Sequence, residues 1–130
     1  MLTFVPADRL PWQGMFDVLR PAIAAGNQSE ADVKSKLQSG EYAAFRASDE
    51  ADGWLISATG NGTFYLVYAA GRSLTGPEAF RRMIRDLETI AKQQGCTSMR
   101  IEGRRGWERV LPDYSVTDRS GGVSTLVKVI

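Results

Sequence analysis

The chain contains no histidine and a single cysteine, Cys96. Those two absences exclude an intramolecular disulfide, a Cys/His zinc site and any catalytic triad that uses imidazole as base. Without a histidine to activate it, Cys96 reads as a small buried hydrophobe rather than a nucleophile. No apolar run approaches the roughly 20 residues of a membrane-crossing helix, and residues 1–10 lack the basic and apolar regions of a signal peptide. A cytoplasmic location and no membrane partner are therefore expected. An excess of charge of one sign is also missing, since 16 basic and 15 acidic residues leave +1. No global field points to nucleic acid, and any anion site must be local.

What is present suits one folded domain over residues 1–130. The chain is long enough to fold without disulfides or metals, and 43% apolar with 24% charged residues is an ordinary globular balance. Residues 2–5 predict a strand, and Asp8 a cap for a helix using Trp12, Met15, Phe16 and Leu19 until Pro21 breaks or kinks it. Ser29 and Asp32 resemble a capping box, opening an exposed helix that uses Val33 and Leu37 and stops at Gly40. Strands follow over 41–47, 53–59 and 63–70, the last two joined by the hairpin signal Gly60-Asn61-Gly62. Residues 64–69 are apolar on both faces and predict the central strand.

The clearest element begins near Pro77, where Phe80, Met83, Ile84, Leu87, Ile90 and Ala91 recur at helical spacing and Gly95 supplies the stop. Its other face offers Glu78/Arg82, Arg82/Asp86 and Glu88/Lys92 as pairs four residues apart. A strand over 97–101, a short helix around Trp107, Val110 and Leu111 ended by Pro112, and a hairpin of 114–119 and 123–130 around Gly121-Gly122 complete the chain.

This order of elements, with the helix Met83-Ile84-Arg85-Asp86-Leu87-Glu88-Thr89-Ile90-Ala91-Lys92-Gln93-Gln94-Gly95 followed by Arg100-Ile101-Glu102 and Gly106-Trp107-Glu108-Arg109-Val110-Leu111, resembles the GNAT (N-acetyltransferase) superfamily across the whole chain. The resemblance implies an α/β (α+β) three-layer domain, with a central mixed, twisted sheet of six to seven strands and helices on both faces. It also implies a cofactor loop, Q/R-x-x-G-x-G/A, whose backbone N–H groups at a helix N-terminus hold the diphosphate of acetyl-CoA. Aligned without a gap from Met83-Ile84, that motif falls on Thr75-Gly76-Pro77-Glu78-Ala79-Phe80. A register beginning at Arg72 recovers the basic residue but neither small position. Glu78 brings negative charge, Phe80 a bulky ring, and Pro77 removes a donor. The same residues suit an ordinary helix start, with Thr75 as cap, Pro77 and Glu78 in the first turn and Phe80 in the core.

The resemblance implies, for an active member, a catalytic Glu on the fourth strand and a Tyr on the last helix, and neither stands out. The candidates for an active enzyme are Tyr68 and Tyr114 as proton donors, with Ala69, Ala70, Gly71, Arg72, Thr75 and Gly76 toward the cofactor. Tyr65 and Tyr68 also fit as core aromatics of a buried strand. Asp49, Glu50 and Asp52 form a carboxylate cluster before a strand that reads as a solvated turn rather than a cation site. Arg72, Arg81, Arg82 and Arg85, with Arg100, Arg104, Arg105 and Arg109, form a basic constellation. Within it Arg81, Arg82, Arg104 and Arg105 are the candidate anion or partner patch, set against a mixed solvated surface.

Two functions of different class follow. One is a noncatalytic GNAT-like protein with a degenerate loop, no cofactor and a protein partner, similar to phage-encoded GNAT-like proteins with internal virion or assembly roles. The other is an acetyl-CoA-dependent N-acetyltransferase with an atypical loop. A nucleic-acid-binding module ranks last, because the net positive charge it needs is absent.

Overall fold

A computed structural model describes residues 2–47, 53–71 and 76–130. In chain order these form β1 (Leu2–Val5), a 3-10 turn (Ala7–Arg9), α1 (Trp12–Ala24), α2 (Glu30–Ser39), β2 (Tyr42–Ala47), β3 (Gly53–Gly60) and β4 (Thr63–Ala70). Then come α3 (Pro77–Gln93), β5 (Ser98–Arg104), α4 (Trp107–Val110), β6 (Ser115–Ser120) and β7 (Val123–Val129). The strands make one sheet in the order β1-β2-β3-β4-β5-β7-β6, so β4 is central as its two-sided apolarity predicts. Adjacent strands run antiparallel except for β4 and β5, whose parallel pairing is bridged by α3 as crossover helix.

Local chemistry explains most of these elements. The β3–β4 loop is the two-residue turn Asn61-Gly62, and both residues take positive φ, 52° and 76°, as a type I′ hairpin demands. α2 opens on a reciprocal capping box, the Ser29 hydroxyl accepting from the Asp32 N–H and the Asp32 carboxylate accepting from the Ser29 N–H, both at 3.1 Å. It closes on Gly40 in the left-handed region.

Each face of the sheet carries its own core. α1 and α2 bury Met15, Phe16, Leu19, Ile23, Val33 and Leu37 against Ala44, Trp54 and Ile56. On the other face α3 buries Phe80, Met83, Ile84, Leu87 and Ala91 against Phe45, Leu55, Phe64, Leu66, Met99, Ile101 and Leu126, with Ile90 at the margin. This is the three-layer arrangement expected of the sequence.

Three local expectations are corrected. Asp8 lies in the 3-10 turn and caps nothing there, while α1 starts at Trp12 after Pro11 without a side-chain cap. Pro21 does not end α1, which continues to Ala24. A proline one turn from the C-terminus forfeits one intrahelical bond, whereas Ile23 just beyond it is buried in the core, so packing outweighs the loss. α2 buries only Val33 and Leu37, as expected of an exposed helix. Glu88 turns away from Lys92 and accepts from Lys128 Nζ at 3.1 Å and the Tyr114 hydroxyl at 2.7 Å. Those partners lie where its side chain is half-buried, and a solvent-exposed helix pair contributes only a few tenths of a kcal/mol.

Leu87 is fully buried at the centre of the α3 face. Leu87→Ala should therefore cost about 2–5 kcal/mol in urea denaturation, and a loss near zero would remove α3 from the core.

Candidate functional site at the β4–β5 splay

The parallel joint between β4 and β5 is short. Thr63, Phe64, Tyr65 and Leu66 pair with Ser98, Met99, Arg100 and Ile101, and there the pairing stops although both strands continue. Beyond it, Tyr68, Ala69 and Ala70 pair with β3, and Glu102, Gly103 and Arg104 pair with β7. The β3–β4 register shifts at this level, with Ile56 opposite Tyr68 but Ser57 opposite Leu66. Val67 is the extra residue, a β-bulge that bends β4 away from its neighbour. The sheet is thus split at its middle, and the facing edges of β4 and β5 present backbone N–H and C=O groups without a strand partner. Ala69, Ala70 and Gly71 lie on the β4 side of this opening. Gly71 is at φ 137°. Arg72, Thr75 and the cluster Asp49, Glu50 and Asp52 lie outside the described residues.

At the same end of the sheet α3 begins. Its N-cap position falls on Gly76 rather than Thr75, and no side chain caps it. Pro77 follows at the first helical position and Glu78, exposed, occupies the first turn. Phe80 is buried with its ring centroid 4.7 Å from that of Trp107. Trp107 in turn packs against Gly103 on β5, so closely that a Cβ there would collide with the indole. Only glycine fits beneath this ring. Phe80, Trp107 and Gly103 therefore form one packed stack joining the first turn of α3 to the β5 side of the splay.

The two candidate tyrosines are not brought together. Tyr68 packs on the α1–α2 face, where its hydroxyl accepts from Gln28 Nε2 at 3.1 Å. The same amide donates to the Tyr42 hydroxyl at 2.9 Å, and Gln28 Oε1 accepts from Lys36 Nζ at 2.8 Å. Tyr114 belongs to the α3 face and donates to Glu88. Burial, then the Glu88 carboxylate, drive the Tyr114 pKa upward, so its proton is held tightly. Gln28 carries no sequence signal beyond its place before the α2 capping box, and its role appears only once the α1–α2 turn is folded over the sheet.

The basic constellation is divided as well. Arg81 and Arg82 sit on α3, Arg105 on the turn before α4, and Arg81 Nε donates to the Val110 carbonyl at 2.8 Å. Arg104 alternates with Gly103 on β5 and so points to the opposite face of the sheet, with Arg100 and Glu102. Among the described residues no group of three or more histidine, cysteine, aspartate or glutamate side chains could hold a metal ion.

With the splay, the bulge and the crossover helix in view, solved structures can be compared. The fold is that of the GNAT acetyltransferases. An IAA acetyltransferase from Bacillus cereus superposes with a TM-score of 0.73 at 11% identity, covering 100% of this chain and 99% of that one. An aminoglycoside 6'-acetyltransferase type Ii gives 0.73 at 13% identity, covering 99% and 96%. A PaiA N-acetyltransferase from Thermoplasma acidophilum, solved in complex with coenzyme A, gives 0.67 at 16% identity, covering 100% and 98%. No protein-family model and no curated protein sequence matches the chain. In the described part of this chain, no helix is long and apolar enough to cross a membrane.

One further cluster stabilises α4. Glu108 accepts from Arg119 at 3.0 and 2.7 Å, and from the hydroxyl of the buried Ser124. The hydrogen bond from Arg119, followed by that from Ser124, lowers the Glu108 pKa from 4.5 to about 2. A depressed folded-state pKa contributes stability above the unfolded value that is lost as pH falls through the folded one. The stability gap between the wild type and Glu108→Gln should be full above about pH 4.5 and close toward pH 2. Chemical denaturation across that range checks it, and a pH-independent gap would show that the ionised carboxylate is not what matters.

Proposed function

We propose that this chain is a noncatalytic GNAT-fold protein that acts by binding a protein partner. The observation that carries this reading is the Phe80–Trp107–Gly103 stack at the first turn of α3. Diphosphate binding at a helix N-terminus needs free backbone N–H groups, small side chains and no opposing charge. Here Pro77 removes a donor, Glu78 adds a carboxylate, and the Phe80 ring is committed to the core. Vacating that ring would cost about 3–5 kcal/mol, the range for truncating a buried phenylalanine. The residues at this turn therefore do not fit the cofactor.

The proton chemistry of the reaction fares no better. Tyr68 and Tyr114 lie on opposite faces of the sheet, and the Tyr114 hydroxyl is bonded to a carboxylate that holds its proton.

A second reading, an acetyl-CoA-dependent N-acetyltransferase with an atypical loop, is favoured by the splay itself. The bulge at Val67 and the four-pair joint leave backbone donors and acceptors along the opening that need no particular side chain.

Calorimetric titration with acetyl-CoA separates the two. No saturable heat is expected up to about 1 mM, a concentration that already corresponds to only about −4 kcal/mol. Micromolar binding, about −8 kcal/mol, would overturn the noncatalytic reading in favour of the enzyme.

A further inference from the structure

We propose that the seam between α3 and α4 docks an acidic segment of another protein. The inference rests on the reading of the chain as a binding protein and names the surface and the partner chemistry. Arg81 and Arg85 leave α3 on one side, a turn of about 5.4 Å apart. The bond from Arg81 Nε to the Val110 carbonyl holds that side of the helix against α4. Arg82 stands beside them on the exposed crest of α3, Arg109 is exposed on α4, and Arg105 is exposed on the turn leading into it. Arg105 lies near enough to Glu108 to contribute to lowering its pKa.

Most carboxylates around these arginines already have partners. Glu88 bonds to Tyr114 and Lys128, Glu102 pairs with Arg100 at 3.3 Å, and Glu108 is held by Arg119 and Ser124. Asp86 is engaged as well. Glu78 and Asp86 share α3 with Arg81, Arg82 and Arg85, and Arg82, Arg85, Arg105 and Arg109 have no salt bridge to another described residue. On these two helices and the turn leading into α4 the five arginines outnumber Glu78, Asp86, Glu88 and Glu108, a local positive excess in a chain of net charge +1.

The chemistry selects a peptide over a phosphate polymer. Guanidinium forks bind discrete carboxylates in bidentate pairs. Glu78 stands among the arginines and would repel a continuous phosphate backbone, whereas a peptide can straddle it and donate an N–H to it. The net charge also falls short of what a nucleic-acid surface uses. Trp107, part-exposed and held by Phe80 and Gly103, supplies a rigid aromatic beside the arginines, the pairing common at the centres of protein interfaces.

The test is fluorescence anisotropy with a fluorescein-labelled polyglutamate peptide of about ten residues and the full chain. Binding should weaken as salt rises, since exposed charges are screened over about 10 Å at 0.1 M. The triple variant R82E/R85E/R109E should lose at least about tenfold in affinity, and Arg104→Glu, on the opposite face, should stay within about twofold. Thermal melts of each variant confirm that the fold is retained. Equal loss in Arg104→Glu, indifference to the triple variant, no binding at all, or tighter binding of a single-stranded DNA of equal charge would each overturn the proposal. Displacement of the peptide by acetyl-CoA would also overturn it, assigning the seam to the nucleotide. Acetyl-CoA binding without displacement would sink the noncatalytic reading alone and leave the docking surface standing.

Discussion

Four residue pairs hold the two halves of this sheet together. On one side β1 to β4 form a continuous antiparallel run, and on the other β5, β7 and β6 form a second. The joint between them is the parallel pairing of residues 63–66 with 98–101. Its brevity follows from the Val67 bulge, which turns β4 aside just where the pairing would otherwise continue. The helices compensate for what the strands omit. α3 spans the joint and buries Leu66 from β4 together with Met99 and Ile101 from β5 in one core, so apolar packing bridges the split below the point where hydrogen bonds give out.

The long elements were legible in the sequence because several local signals agreed. The apolar stripe of α3, the Asn61-Gly62 turn and the Ser29/Asp32 box each specify a conformation through neighbours a few residues away. The errors arose where a distant contact overruled a local one. Pro21 should break a helix, yet Ile23 beyond it is anchored in the core.

The site was less legible for the same reason. A bulge is set by the register between β3 and β4, and nothing in Val67 itself announces it. The resemblance aligns Glu78 and Phe80 with the motif's small positions, but what packs against Phe80 is Trp107, which in turn packs against Gly103, both more than twenty residues downstream. The arginines also looked like one group on paper. Strand alternation sends Arg104 to the other face of the sheet, while Arg81 bonds to the Val110 carbonyl and ties α3 to α4.

An opening lined by main chain is indifferent to most mutation. Side chains on β4 and β5 can change without altering which N–H and C=O groups the splay exposes. The first turn of α3 has no such insurance, because a few substitutions there change its charge, its donors and its free volume together. Within this architecture the backbone frames the opening, and the residues at one helix start decide what it can hold.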